Sequence, residues 1–208
     1  RKILFMSGKE VHWSANVWYL KRFNFAPERI NPSNPVYRLI FYEVTHLKNR
    51  ELLQEYMRYQ VGISGLTIGN IRSQLSYIKK FLIYFNELES ICQVTDKQIG
   101  EYFKSVQDEG NKAETVNRQI FDIYKFFLYL HVKGHITRQV FDPNYYSQKV
   151  YPYHHDRSVQ EDEYMEILKM LKFFPEVQRL IFLNLWATGL RISEVCTLKG
   201  DAYYWDGE

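Results

Sequence analysis

Apolar positions between residues 67 and 132 repeat with the spacing of one helical face. Ile68, Ile71, Leu75, Ile78, Leu82 and Phe85 recur at intervals of 3, 4, 3, 4 and 3. That stripe predicts an amphipathic helix from Thr67 to about Asn86, with Thr67 as its capping residue. A shorter helix is expected after Thr95, with Ile99, Tyr102 and Phe103 inward, and Gly110-Asn111 marks a break. Val116, Ile120, Ile123, Phe127 and Leu130 repeat the stripe from about Glu114 to Val132, and Gly134 is placed to stop that helix. Ahead of these, Lys48 to Val61 carries Leu52, Tyr56 and Tyr59 at helical spacing and meets Gly62. Short joins between amphipathic helices predict an antiparallel bundle, here placed over residues 63–138.

The flanks are less regular. Trp13, Trp18, Tyr19, Phe23 and Phe25 cluster near the start, and Pro27, Pro32 and Pro35 interrupt regular structure. Val36 to Val44 (VYRLIFYEV) is rich in β-formers and reads as a strand or extended arm. Residues 1–62 are therefore set apart as an N-terminal region of uncertain fold. His135 to Arg157 holds Pro143, Pro152 and several tyrosines with little periodicity, so residues 139–158 are expected to be an interdomain linker. Tyr145, Tyr146, Tyr151 and Tyr153 are expected to pack between domains. Gln160 to Phe173 and Pro175 to Trp186 read as helices, Thr188-Gly189 as an interruption, and Ile192 to Leu198 as one further short helix. Ala202 to Trp205 reads as the beginning of a strand, with Asp206-Gly207 a turn signal. Residues 159–208 thus form the start of another domain, and the fold class is mainly α.

Composition narrows this picture. Hydrophobic residues are 46% of the 208, enough for a real core. No apolar run long enough to span a membrane and no secretory leader pattern occurs, which points to a cytoplasmic protein with no membrane partner. Arg1 stands where an initiator Met would be, so the chain is expected to begin inside a longer protein. Cys92 and Cys196 are far apart and are read as reduced, buried thiols. They and the six histidines, including the adjacent pair His154-His155, match no metal-ligand spacing. Neither metal nor cofactor is expected.

Net charge is only +3, but its distribution is uneven. From Ile63 to Asn86 there are three bases (Arg72, Lys79, Lys80) and no acid; from Asn111 to Arg138 there are five bases against two acids. Two predicted helices therefore carry local positive fields of the kind that phosphate binding needs. Mildly basic helices are also ordinary solvated surfaces. The many aromatics (17 Tyr, 14 Phe, 4 Trp) sit chiefly at helical periodicity and read as core.

The stretch Ala187 to Asp201, ATGLRISEVCTLKGD, carries the candidate chemistry. Gly189 allows a sharp turn, and Arg191 then opens a new helix, where its guanidinium and nearby free backbone N–H groups can address one anion. Arginine suits phosphate because its planar fork donates parallel hydrogen bonds and stays charged. Glu194, three residues on, can hold that fork. Ile192, Val195 and Leu198 are expected on the core side. Spacing alone describes equally well a modest surface ion pair.

TGLRISEV-TL resembles the first arginine box of tyrosine recombinases, the phage integrase family, across Thr188, Gly189, Leu190, Arg191, Ser193, Glu194 and Leu198. Upstream, TIGNIRSQLSYIKKFLIYF resembles the first long helix of that family's core-binding domain. VTDKQIGEYFKSV resembles the short helix after it. AETVNRQIFDIYKFFLYLHVKGHI resembles the family's threonine, x, asparagine-arginine helix with a phenylalanine-rich end. These segments lie in the family's order over about residues 64–201. Residues 1–62 resemble, at most, the extra leading region of transposon-borne members.

The resemblance implies a helical, SAM-like core-binding bundle followed by the helical start of a mixed α+β catalytic domain. It implies an enzyme that breaks and rejoins DNA through a phosphotyrosine link, with neither metal nor ATP. Of its catalytic groups, only the first arginine transfers, to Arg191, with Glu194 as support. The second arginine box and the nucleophilic tyrosine are expected beyond residue 208; Tyr203 and Tyr204 are not the nucleophile, and Lys199 lies too early to be the family's lysine. Implied DNA contacts are Asn70, Arg72, Ser73, Lys79 and Lys80 on the first long helix. Lys112, Thr115, Asn117, Arg118 and Gln119 are those of the second, and Lys149 and Arg157 those of the linker. Asn, Gln and Arg are the types that read base edges, Lys and Thr those that position the backbone. The implied partners are double-stranded DNA and further copies of the chain, as a tetramer on paired sites. Two competing readings are a non-catalytic helical DNA-binding accessory protein and a helical interaction module with no nucleic-acid role.

Overall fold

A computed structural model describes residues 12–32, 34–138, 140–151 and 159–202. Arg157, His154, His155, Tyr153, Tyr203, Tyr204 and the strand and turn expected after residue 202 lie outside those residues. Two compact units result, divided after Tyr151.

In the first unit, the striped segments fold as expected. Helix α1 is Leu47–Gly62, α2 Ile68–Tyr84, α3 Asp96–Asp108 and α4 Ala113–Val132. Thr67 caps α2 by accepting the Asn70 N–H at 3.4 Å. Thr95 and Gln98 cap α3 reciprocally, the Thr95 oxygen accepting the Gln98 N–H at 3.3 Å and the Gln98 amide oxygen accepting the Thr95 N–H at 2.9 Å. Gly134 (φ 78°) turns the chain after α4 in a region where side chains are strained. Helices α2 and α4 run side by side in the same direction, as the equal offsets of Asn70–Arg118 and Gln74–Asp122 show. Phe81 of α2 is fully buried and meets Tyr102 of α3 and Phe127 of α4 edge-on, at 4.9 and 5.7 Å between ring centroids. Helix α1 closes the bundle, with Tyr56 against Phe126 at 5.4 Å.

The N-terminal residues share this core instead of standing apart. Strand β1 (Val17–Tyr19) pairs antiparallel with β2 (Arg38–Ile40), Trp18 opposite Leu39. Trp18 is buried against Phe41 at 4.6 Å. Arg29 donates to the carbonyls of Gln60, Val61 and Leu66 at 3.1, 2.9 and 2.9 Å, tying this layer to the end of α1. The expected strand is thus real but only three residues long. Residue 62 ends a helix, and the compact unit runs through it because Trp18, Leu39 and Phe41 belong to the same buried apolar cluster as the inward residues of α1 and α2.

The expected linker also differs. Residues 140–151 pack on α3 and α4 through Phe141 and a four-residue helix, α5 (Pro143–Tyr146). Tyr146 lies 5.2 Å from Phe103 and 5.9 Å from Phe141, so it packs within the first unit and not between domains. Tyr145 and Tyr151 are exposed. Phe141 and Pro143 are buried and Tyr146 half-buried, a set too short to register as a helical stripe, which is why the sequence pattern gives no element there.

The second unit contains α6 (Glu161–Leu171), α7 (Glu176–Thr188) and α8 (Ile192–Val195). Tyr164 and Trp186 stack at 3.7 Å. Val195 is the one buried large hydrophobic among its described residues; Ile192 and Leu198, expected on the core side, are exposed. Helix α8 has a single turn, too short to carry Ile192 and Leu198 on one buried stripe with Val195. Cys196 is exposed and Cys92 half-buried, which corrects the expectation of two buried thiols.

Candidate nucleic-acid interface

The equal offset of α2 and α4 brings their N-terminal halves together along one polar seam. Arg118 is exposed and donates from Nη2 to the side-chain oxygen of Asn70 at 2.8 Å. One turn on, Asp122 is buried, and its Oδ1 accepts from Gln74 Nε2 at 3.1 Å. Arg118 Nε lies 3.9 Å from Asp122 Oδ2 and Lys125 Nζ 3.7 Å from Oδ1. Arg118, Asp122 and Lys125 stand at i, i+4 and i+7, hence on one face of α4. Burial pushes the Asp122 carboxyl above the usual carboxylate range, while Gln74, Lys125 and Arg118 draw it down. Two cations thus project from a seam whose floor holds a nearly dry carboxylate.

The other expected contacts separate by accessibility. Asn70, Arg72, Lys80, Lys112, Thr115 and Lys149 are exposed, and Ser73 is half-buried with its hydroxyl donating to the Gly69 carbonyl at 3.1 Å. Lys79 is engaged elsewhere: its side chain is 15% exposed and pairs with Glu43 at 2.9 Å. Gln119 is buried, and its amide donates to the Tyr102 hydroxyl at 2.5 Å. Asn117 forms a two-bond pair with the backbone of Gln148, both at 2.8 Å, which fastens residues 147–149 to α4. Of the ten helix candidates, Lys79, Ser73, Asn117 and Gln119 are thus turned to intramolecular partners, while Asn70 and Arg118 pair with each other at the surface. Arg157 lies outside the described residues. Lys125 was absent from the expected set; its spacing of seven from Arg118 is the signal that finds it.

The arginine box has its own local logic. Thr188 Oγ1 donates to the Asn184 carbonyl at 2.6 Å and accepts the Leu190 N–H at 3.3 Å, closing the end of α7. Gly189 follows at φ +66°, a left-handed conformation that side chains resist. Arg191 is then the residue before α8, and Glu194 Oε2 accepts its backbone N–H at 2.7 Å. Of the backbone N–H groups at this turn, that of Arg191 itself is therefore taken by Glu194. The side-chain contact between Arg191 Nη1 and Glu194 Oε1 is long, 3.5 Å, and the Arg191 side chain is 85% exposed. Glu194 therefore fixes the backbone from which Arg191 projects more than the guanidinium itself. The sequence reading missed Thr188 as the organiser of this turn, although a threonine at a helix end before glycine is a visible signal.

Among the described residues no three His, Cys, Asp or Glu side chains converge as metal ligands would. No described helix is long and apolar enough to cross a membrane.

Comparison with known proteins agrees with the bundle. Residues 51–134 match the family described as phage integrase, N-terminal SAM-like domain. The matched segment runs from within α1 past the end of α4 and holds the whole polar seam. The chain is 23% identical over 204 residues to transposase B from transposon PsiTn554 of Staphylococcus aureus, which covers 94% of this chain and 31% of that protein. It is 22% identical over 206 residues to transposase B from transposon Tn554 of Staphylococcus aureus strain Mu50, with the same coverage. The chain thus spans about a third of the length of the curated relatives it matches. No solved structure matches it.

Proposed function

Starting from a chain that carries the phage integrase N-terminal SAM-like domain at residues 51–134, we propose that it is the DNA-binding portion of a tyrosine-type site-specific recombinase. The observation that carries this reading is the seam on that domain, where Asn70, Arg118 and Lys125 lie together at the surface. Arginine and lysine there meet phosphates, and the Asn70 amide and Arg118 fork have the donor and acceptor pattern that base edges require. Arg72, Lys80, Lys112, Thr115 and Lys149, exposed on the same unit, extend the basic surface. The relatives' name, transposase, supports movement of a mobile element as the biological setting. In that setting the protein acts in the cytoplasm, on double-stranded DNA, as several copies on paired sites.

In the complete recombinase, Arg191 donates to the scissile phosphate and Glu194 holds the turn that presents it. Its exposed guanidinium, projecting from a backbone pinned at 2.7 Å, supports that role. A tyrosine elsewhere in the protein supplies the nucleophile. Strand cleavage tests the assignment. Arg191→Ala should lower the cleavage rate by about a hundred- to a thousand-fold, the cost of removing one transition-state donor, with duplex affinity nearly unchanged. Equal cleavage by variant and parent removes Arg191 from the active site. Failure of the parent chain to shift any duplex selected from a random pool overturns the DNA-binding reading itself.

A further inference from the structure

Asp122 has no part in the reading above, and its placement is costly. It is 4% exposed, and its Oδ2 has no hydrogen-bond partner among the described residues. Groups facing it come from every helix packed there: Arg118 and Lys125 on α4, Gln74 on α2 and Tyr56 on α1. Among the described residues Gln74 donates to it at 3.1 Å, while Lys125 stands slightly farther off at 3.7 Å. Gln74 Oε1 is also buried without a partner, so the pocket holds more acceptors than donors. Burying a carboxylate with so few donors is a cost to the fold, which Arg118 and Lys125 at 3.9 and 3.7 Å offset only in part. Retaining an acid there calls for a role other than stability.

The geometry supplies one. Asp122 Oδ2 faces Arg118 Nε, and Asn70 takes the far side of the same guanidinium at 2.8 Å. The guanidinium is thus hydrogen-bonded to α2 at one end and drawn at the other toward the Asp122 charge, 3.9 Å away. An arginine fixed in one orientation loses less conformational freedom when it binds, and it discriminates better between partners. We propose that Asp122 is a positioning residue for DNA recognition, its buried carboxylate orienting Arg118, and with it Lys125, at the α2–α4 seam. This rests on the reading of that seam as the DNA-contacting face. Because the carboxylate also adds negative charge beneath the phosphates, its contribution is to selectivity and not to bulk attraction.

Asp122→Asn keeps the shape, leaves an oxygen for Gln74 and adds a donor beside the orphaned acceptors. The test compares the complete chain and this variant on a duplex selected from a random pool by the parent, against a shuffled duplex of the same composition. The specific-to-shuffled affinity ratio should fall about three- to tenfold, affinity for the shuffled duplex should hold or rise, and the melting temperature should hold or rise. A residue serving only the fold would instead lower the melting temperature and leave the ratio unchanged; that result overturns the proposal. A second arm needs no folded variant: acidification that protonates Asp122 should lower the ratio in the parent, and a ratio constant with pH contradicts the proposal. If Arg118→Ala reduces the ratio and Asp122→Asn does not, the positioning role fails and the DNA-binding reading stands. If the parent binds no duplex, both fail.

Discussion

At the scale of single residues, accessibility and local pairing decide which charges remain available to a ligand. Lys79 and Arg118 are both basic residues on polar helix faces, yet Lys79 is committed to Glu43 while Arg118 projects beside Lys125. The sequence could not separate them, because Glu43 lies 36 positions from Lys79 and the pairing exists only after the N-terminal layer folds onto α2. The same holds for Asn117 and Gln119, whose partners are Gln148 and Tyr102. The turn at Arg191 was legible because its parts are local: Gly189 lies two residues before it and Glu194 three after. Asp122 gives a prediction of pH dependence. Its folded-state pKa is raised by burial, so the native state binds a proton that the unfolded state releases in the window between the usual carboxylate pKa and the raised one. Through that window its contribution to stability falls as pH rises, and acidification restores it. Chemical denaturation across the window should show this slope, and Asp122→Asn should abolish that component; an identical pH profile in the variant contradicts the assignment.

At the scale of elements, what the sequence disclosed follows from periodicity and capping. Helices α1 to α4 were expected within a few residues of their observed ends, since each has an apolar stripe, and Thr67 and Thr95 cap two of them. The β1–β2 hairpin and α5 were not legible in the same way. Strands of three residues and a helix of four carry no period to detect, and their burial depends on Trp18, Phe41, Phe141 and Tyr146 meeting partners distant in sequence. The rings that join α2, α3 and α4 converge on Phe81. Phe81→Ala should destabilise the first unit by about 3–5 kcal/mol, the range for truncating a buried phenylalanine. Denaturant unfolding followed by tryptophan fluorescence measures it, Trp18 reporting on the same core. A loss below about 1 kcal/mol, within the range of a surface substitution, would show that the three helices do not depend on that contact.

At the scale of the whole molecule, the two units differ in how well they are closed. The first buries a continuous apolar core from Ala15 to Phe141, and the polar seam rests on it. The described part of the second buries Val195 and exposes Phe173, Phe174, Val177 and Leu180. In the proposed reading, DNA binding falls to the first unit, and Arg191 of the second contributes one phosphate-binding group. The central claim is that the α2–α4 seam contacts the DNA backbone. The most direct measurement is duplex affinity as a function of salt, for the parent chain and for Arg118→Ala. The parent's log affinity should fall linearly with log salt, and the variant should bind more weakly with a slope shallower by about one unit, the counterion share of a lost phosphate contact. Identical affinities and slopes for the two proteins would contradict the claim.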